Sequence, residues 1–599
     1  MNVFGTDIAH RNKKTTDALT IDFVGRLDNR RALRALLGLD DGRPLDDKEL
    51  VLHGYRRWGK ELPERLSGDF SFLIQDPSER SLFGARDPLG AKPFYYWRDR
   101  TSLLFSADLP TLLAQPAVSV RLDHGHLASS AVLLLSLVRG GTRTLYQNIF
   151  SLPGGSALRF DAGGLRAWQY WRPDPARRLD IPDAEAPEAL RALLFSAVGA
   201  RLPERSEAAT LLSGGLDSSS IAAVAAALLR KKNRTLTAFS AVLAAPARDG
   251  TVDEASYIKE LGVFDNMRFV SVTDEHRGPF DDVEELVRAS ATPFHTSRHY
   301  LYSAFAAGAR TRGATSVLDG CFGEMGPTTH GAGFYPELLR TGRWPLLARE
   351  LRRRAQVDDV SVARAVKSHL IRPLCPSWLM RLSGRSRRFD LRQWTDGHPL
   401  AESYVDGILG GRKAELLEEV DDYLAAPGHD HRDIASRSVA LMQRRAGDAF
   451  HLHREAVDFL YPFLDKKIVE FCLAAPGHLK VRDGYPRSLI RLALGGLLPK
   501  AIQWRTSKEP FSPDYHARYN RQKPRIESLL AGIARNDPVR EIVDVDRLLR
   551  MARIQMRSNR CAAPDDFIGM HTVPQGIYLI AFLRRFPEFR APGFEKALQ

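Results

Sequence analysis

The sequence predicts an α/β protein in two parts: an α+β N-terminal domain of short strands, then a doubly wound parallel sheet with a helical C-terminal region. Three observations predict it. The nonapeptide at 211–219, Leu-Leu-Ser-Gly-Gly-Leu-Asp-Ser-Ser, lies between an apolar strand-type run at 208–212 and an Ala/Leu-rich helical pattern at 221–229. Beyond it, apolar runs at 236–242, 268–272 and 316–318 are each followed by helical periodicity. That βαβ rhythm builds a parallel sheet with ligands at the carboxyl ends of its strands. Before it, short strand-like runs at 70–74, 81–85, 103–106 and 157–160 are separated by turn clusters.

A stretch rich in proline and charge at 172–186 reads as a linker. The expected domains are therefore 1–175 and 186–599, the second with an insert at about 335–440 and mostly helical from about 430. At 599 residues the chain exceeds what one core serves. A hydrophobic content of 44% is ordinary for a folded chain. No apolar stretch reaches the roughly 18 residues of a membrane span. The run at 129–138 is apolar but too short, and the first residues lack the apolar core of a signal peptide. Cys321, Cys375, Cys472 and Cys561 are scattered, which excludes a disulfide framework and a zinc knuckle. These features predict a cytoplasmic location.

The net charge is +14 and the isoelectric point is near 9.6. Such a balance suggests an anionic partner. The basic residues are not interleaved with aromatics as in a nucleic-acid reader, so no nucleic acid is expected. They concentrate at 340–388, with Arg352, Arg353 and Arg354 in a row and more at 385–388. This is either a solvated helical face or a surface for an anionic partner.

Strand, Gly-rich turn and helix together aim backbone N–H groups and a positive helix end at a phosphate. Gly214 and Gly215 let the backbone approach the anion. Ser213, Ser218 and Ser219 add hydroxyl donors, and Asp217 supplies a carboxylate for a metal. The string lacks the lysine that a Walker-type loop places after its last glycine. It resembles the pyrophosphate loop of the N-type ATP pyrophosphatases. That resemblance implies ATP and Mg²⁺ as cofactors, cleavage between the α- and β-phosphates, and activation of a carboxylate as acyl-AMP.

In the first half, Gly68-Asp69-Phe70-Ser71-Phe72 and the segment from Arg86 to Tyr96 resemble the glutaminase domain of asparagine synthetase B. The implied fold is an αββα sandwich of the N-terminal-nucleophile type. The family's domain hydrolyses glutamine with a cysteine at position 2, where this sequence has Asn2. An amide does not replace a thiolate nucleophile. Residues 25–29 resemble a degraded form of the family's Asn-Gly-Glu segment, with Val24 before Gly25 and Arg26 after it. The expectation is a degenerate glutaminase-like domain that makes no ammonia and serves as a docking platform.

The second half resembles the synthetase part of the same superfamily. Residues 317–324 align on its Leu-Ser-Gly-Glu-Gly-Ser-Asp block: Gly320 keeps the first glycine and Glu324 falls on the second metal-binding aspartate. Asp217 and Glu324 would then hold Mg²⁺ through hard oxygen ligands, with Asp319 as an extra ligand or catalytic acid. Cys321 stands where asparagine synthetase has a glutamate and β-lactam synthetase a tyrosine; it reads as a small buried residue. Residues 458–465 resemble Glu-x-Arg-x-Pro-Phe-Leu-Asp, with Asp458 for the glutamate and Leu460 for the arginine. Asp458 would take a proton from an attacking amine, or it is a surface or capping acid. Asp465 would cap the following helix. Residues 505–511 resemble the family's Arg-x-x-Lys-x-x-Phe segment, so Lys508 would stabilise charge on the α-phosphate. Leu211 would present backbone to adenine, and Ser240 would face the nucleotide. His295, His299 and His330 are placed near the site by location only and read as non-catalytic.

Among superfamily members with a dead glutaminase domain, this chain looks most like the lasso-peptide macrocyclases. Its length, its Asp-Gly-Cys-Phe-Gly-Glu-Met-Gly block at 319–326 and its basic insert favour them. The implied reaction adenylates an Asp or Glu side chain of a core peptide and joins it to the peptide's N-terminal amine, releasing AMP and pyrophosphate. The implied partners are the precursor peptide, a leader peptidase and a leader-recognition protein. The alternatives are an amide ligase of the β-lactam, carbapenam or ammonia-dependent asparagine type, and a non-catalytic ATP-binding scaffold.

Overall fold

The computed structural model describes residues 4–7, 18–39, 44–132, 141–243, 251–272, 276–375, 397–412, 415–416, 430–449, 457–558 and 564–590. Asn2, the end of the apolar run at 129–138, the arginines at 385–388 and Cys561 lie outside them.

The N-terminal part packs two antiparallel sheets face to face. Strands β1 (Phe4–Asp7), β6 (Ser102–Ser106), β5 (Tyr95–Arg98) and β7 (Ile149–Ser151) form one, in that spatial order. The other runs β2 (Thr20–Leu27), β3 (Gly68–Asp76), β4 (Ser81–Arg86), β8 (Ser156–Asp161) and β9 (Gly164–Gln169). β3 shows why they stack: successive side chains alternate faces, and residues 69–74 are buried on both. Phe70, Phe72 and Ile74 pack with Leu50 and Val51 of helix α1 (Asp47–Trp58), while Leu73 joins Leu103 and Phe105 between the sheets. Asp46 and Glu49 close a reciprocal capping box at the start of α1.

Residues 172–185 carry no helix or strand, as the proline content predicts. Helix α2 (Ala186–Arg201) then leads into a five-stranded sheet, ordered β12 (Met267–Ser271), β11 (Leu236–Ser240), β10 (Ala208–Leu211), β13 (Ser316–Leu318) and β14 (Asp458–Leu460). Every pairing in it is parallel. The strand order reverses between β10 and β13, and a crevice opens at such a switch point. Helix α3 (Leu216–Arg230) follows β10 at once, and its alanines at 222, 223, 225 and 226 are fully buried against the sheet. β14 extends the doubly wound sheet by a strand that sequence patterning did not single out.

The rest is helical. Helices α4 (His299–Arg310), α5 (His431–Ala449), α6 (Lys466–Ala474), α7 (Tyr515–Ala531) and α8 (Val573–Leu583) surround the sheet. The Asp465 carboxylate accepts the N–H groups of Lys467 and Ile468, capping α6 as expected. Among the described residues, no helix is long and apolar enough to cross a membrane.

Candidate active site

The crevice at the carboxyl ends of β10 and β13 holds a cavity of 330 Å³. Its polar side is the loop between β10 and α3. Gly214 adopts φ +71°, open to glycine and strained for other residues. The turn is tied by the Ser213 N–H, which donates to Ser218 Oγ at 3.0 Å, with Ser213 Oγ 2.9 Å from the same oxygen. Leu211, Ser213, Gly215, Asp217 and Ser218 line the cavity together with Asp319, Gly320, Glu324 and Lys508. The second loop, after β13, sits hard against the first: a Cβ on Gly320 would stand 2.7 Å from the backbone nitrogen and Cα of Ser218. Only glycine permits that approach.

Lys508, far along the chain, reaches the loop with its Cε 3.9 Å from where a Cβ on Gly215 would be. Its segment is anchored by Arg505. That guanidinium donates to both Glu254 oxygens, Nη2 to Oε1 at 2.8 Å, and Nη1 also meets the Gly214 carbonyl at 3.3 Å. The Glu509 N–H donates to Glu254 Oε1 at 2.5 Å. Arg505 and Glu254 are both 4% exposed in their side chains, and Arg505 lies 3.5 Å above the Tyr257 ring. One buried ion pair thus clamps the Lys508 segment to the phosphate loop.

Asp217 and Glu324 converge on one guanidinium. Arg487 Nη1 lies 3.5 Å from Asp217 Oδ2, and Nη2 lies 3.4 Å from Glu324 Oε1 and 2.7 Å from His330 Nε2. Asp217 Oδ1 is buried with no hydrogen-bond partner. Two carboxylates and an orphaned buried oxygen suit Mg²⁺, which takes one or two carboxylates and completes its shell with water and phosphate oxygens. Among the described residues no cluster of three or more acidic, histidine or cysteine side chains gathers as a metal cage.

The opposite wall is aromatic: Phe239, Tyr302, Phe305, Phe322 and Phe511. Asp319 and Cys321 line the same cavity. The Cys321 N–H donates to Asp319 Oδ1 at 3.0 Å, and Asp319 Oδ2 has no partner. Burial pushes the Asp319 carboxyl above the usual range. Burial, then the adjacent Asp319, pushes the Cys321 thiol well up, so it is an inert thiol, as the sequence suggests. The Tyr302 hydroxyl stands 3.9 Å from Cys321 Sγ and is also driven far up by burial.

The structure differs from the sequence reading at several positions. Asp458 does not line the cavity: it opens β14, in register with Ser316, at the strand end away from the crevice. Its carboxylate pairs with Lys92 of the sandwich at 2.7 Å. Register, which a motif does not encode, removes it from the cavity. Ser219 is fully buried on α3, its hydroxyl outside the cavity. Gly214 contributes its carbonyl to Arg505 and does not line the cavity. Ser240 ends β11 with a buried, unpartnered hydroxyl beside the lining residues Phe239 and Ala241. None of residues 340–375 lines the cavity, so the described part of the insert does not enlarge it. His330 touches the site through Arg487, and the buried His299 and half-buried His295 stand apart from it. Arg487, Glu254 and Tyr302 were missed. Arg505 lay in a recognised segment, but the other three sit in stretches with no motif.

A phosphate-type loop at the switch point of a parallel sheet, behind a two-sheet sandwich, defines a nucleotide-binding α/β class with an appended amidotransferase-type domain. Comparison with known proteins agrees. The asparagine synthase family model matches residues 189–564, and the glutamine amidotransferase domain model matches 11–171. The chain belongs to the asparagine synthase family, whose members are ATP-dependent amide-forming ligases. Asparagine synthetase [glutamine-hydrolyzing] 3 of Bacillus subtilis (strain 168) is 26% identical over 529 residues, 84% of this chain and 77% of that protein. A putative asparagine synthetase [glutamine-hydrolyzing] 2 of Methanocaldococcus jannaschii is 29% identical over 37% of this chain and 43% of its own length. Among solved structures, a glutamine phosphoribosylpyrophosphate amidotransferase from B. subtilis with ADP and GMP matches at 15% identity over 53% of this chain and 63% of that one. Its TM-score is 0.18.

Proposed function

We propose that the protein is an ATP-dependent lasso-peptide macrocyclase. The wall facing the phosphate loop carries this reading. Cys321, an inert thiol beside the Tyr302 phenol, stands where the resemblance puts the glutamate of asparagine synthetase's second half-reaction, and four phenylalanines line the cavity with them. Such a wall suits a bulky apolar acceptor better than ammonia. The sandwich supports it. Arg26 and Arg201 form a buried ion cluster with Asp28 and Asp69 at the segment that resembles the family's glutamine-binding Asn-Gly-Glu, and the sequence has no cysteine before Cys321.

In this mechanism a side-chain carboxylate of the core peptide attacks the α-phosphorus and pyrophosphate leaves into the donors of Ser213, Gly215 and Ser218. Lys508 offsets the charge that builds on the α-phosphate. Asp217 and Glu324 would hold Mg²⁺, which neutralises the pyrophosphate when bound. Asp319, a stronger base for being buried, takes the proton of the attacking α-amine, and AMP leaves. The cavity holds the two ends of one chain together, which turns a bimolecular step into ring closure. The precursor peptide, a leader peptidase and a leader-recognition protein are the partners that the resemblance to lasso-peptide macrocyclases implies.

The cavity's 330 Å³ favours a second reading, amide formation on a small molecule, since ligand pockets start near about 300 Å³. Mass spectrometry separates the two. A leaderless candidate peptide is incubated with ATP, Mg²⁺ and the protein or its Asp217→Ala variant. Cyclisation gives a product lighter by one water, with AMP, from the intact protein only. AMP without dehydrated peptide selects the small-molecule reading; neither product, with the partner proteins supplied, sinks both in favour of a scaffold. Lys508→Ala is expected to slow AMP formation by about 10²–10³-fold, the usual effect of removing one transition-state donor.

A further inference from the structure

The loop after β13 turns sharply back on itself. Phe322 takes the left-handed conformation at φ +70°, and a single 3₁₀ turn follows at Gly323–Met325. The Thr328 N–H donates to the Gly323 carbonyl at 2.8 Å, which folds Thr328 back toward the start of that turn. Gly323 lies against the first turn of α3. A Cβ placed on it would stand 2.5 Å from Thr328 Oγ1 and 2.6 Å from Asp217 Oδ1. The two oxygens thus flank one point, close enough to be joined by a hydrogen bond, direct or through one water. Both are buried, and neither has a hydrogen-bond partner among the described residues. Thr328 as a whole is 0% exposed.

We propose that Thr328 is a positioning residue for the metal-binding carboxylates: its hydroxyl donates to Asp217 Oδ1 and fixes the rotation of that carboxylate beside Glu324. The inference rests on the reading that Asp217 and Glu324 hold Mg²⁺. A buried hydroxyl and a buried carboxylate oxygen each cost free energy while unpaired, and these two adjoin the same point. The hydroxyl has one proton to give, and a carboxylate oxygen accepts through two lone pairs. Oδ1 can therefore take this donor and keep a lone pair for a cation. Carboxylates that ligate metals are ordinarily held by such hydrogen bonds, which set their orientation. The bond also joins two elements. Asp217 stands in the first turn of α3, and Glu324 lies on the loop after β13 between Gly323 and Thr328. Gly320 against Ser218 sets how closely the two backbones approach; Thr328 acts at the carboxylate itself. Gly323 is part of the device, since a larger residue puts a side chain between the two oxygens.

Mn²⁺ binding by the full-length, nucleotide-free protein, followed by electron paramagnetic resonance, tests the assignment. Thr328→Val keeps the shape and removes the hydroxyl; Thr328→Ser keeps the hydroxyl and removes a methyl. Thr328→Val is expected to weaken Mn²⁺ binding by about tenfold or more, the scale of losing a hydrogen bond to a metal ligand, while Thr328→Ser stays within about threefold. Thr328→Val is also expected to melt within about 2 °C of the native protein, because it removes a buried hydroxyl and leaves the packing. Should Thr328→Val fail to fold, Thr328→Ala against Thr328→Ser makes the same comparison at nearly equal size. Asp217→Ala separates this inference from the reading beneath it. Loss of binding in Asp217→Ala with native affinity in Thr328→Val overturns the inference alone. Unchanged binding in Asp217→Ala, or no binding by the native protein, overturns the metal reading and the inference with it. Equal weakening in the variants with and without the hydroxyl also overturns it, since packing and not the hydrogen bond would then set the affinity.

Discussion

Arg487 is the residue that governs the state of the carboxylate pair. Its guanidinium stands between Asp217 and Glu324, held in a left-handed backbone conformation at φ +60°. A divalent cation reaching those oxygens competes with it. Replacing it by Arg487→Gln is therefore expected to tighten nucleotide-free Mg²⁺ binding by about fivefold, the size of an ion pair near 1 kcal/mol. Competition with Mn²⁺ followed by electron paramagnetic resonance measures this; weaker binding in the variant would place Arg487 as a support for the pair and not its competitor. His295 governs acid behaviour. Its Nε2 lies 2.9 Å from the Thr292 carbonyl, and its buried Nδ1 has no partner. Burial, then neighbouring His299, lowers its pKa from 6.5 to about 3. The fold thus holds it neutral while the unfolded chain protonates, so its contribution is present above pH 6.5 and is lost as pH falls toward 3. Urea unfolding across that window should lose about 1.4 kcal/mol per pH unit from this group, and His295→Gln should flatten the slope by one proton. At this scale the site was partly legible. Ser213, Asp217, Gly320 and Glu324 announce themselves because adjacent residues do one chemical job. Arg487 and Glu254 do not, since only tertiary packing brings them to the loop.

Among elements, the clamp between the phosphate loop and the segment carrying Lys508 matters most. Arg505 and Glu254 are buried together, so removing one leaves the other charged and unpaired. Arg505→Ala is expected to cost about 3–5 kcal/mol of stability. It should also raise the KM for ATP, as the Gly214 carbonyl loses its donor. Chemical denaturation and ATP titration of AMP formation check the two effects, and a stability change within about 1 kcal/mol would show the pair to be solvated. The strands flanking the site were readable from apolar runs bounded by turns. β14 was not: Asp458-Phe459-Leu460 lies in the part from about 430 that the sequence reads as mostly helical. Missing it is what misplaced Asp458, because the direction of a strand decides which end faces the crevice.

The whole molecule is joined by a buried ion cluster. Arg201, at the end of α2, meets Asp28 Oδ2 and Asp69 Oδ1 of the sandwich, each at 2.9 Å, and lies 3.9 Å from Asp465 at the cap of α6. Arg26 adds a second cation 2.8 Å from Asp28 Oδ1. Burial still pushes the Asp28 carboxyl upward, so the acids depend on this compensation. Arg201→Met should uncouple the two halves, giving two calorimetric transitions in place of one. A single transition at the native temperature would assign the coupling elsewhere, with Lys92–Asp458 the next seam to break. The two-part architecture could be read from the proline-rich stretch and the switch from turn-separated strands to alternating strand and helix. The seam could not, since its charges lie far apart in sequence.

The position of β14 also bears on how the protein is made. On the order of 140 residues separate Leu318, which ends β13, from Asp458, which begins the strand that covers it. At elongation rates of about 5–20 residues per second, β13 emerges about 7–28 seconds before its neighbour. Through that interval the nascent sheet shows an unpaired edge of Ser316-Val317-Leu318, a template for any passing strand. Its three-residue length is a safeguard in itself, because so short a ladder offers few hydrogen bonds to a wrong partner. Slowing or pausing the ribosome within the insert should therefore cost soluble yield more than a pause of equal length after Leu460.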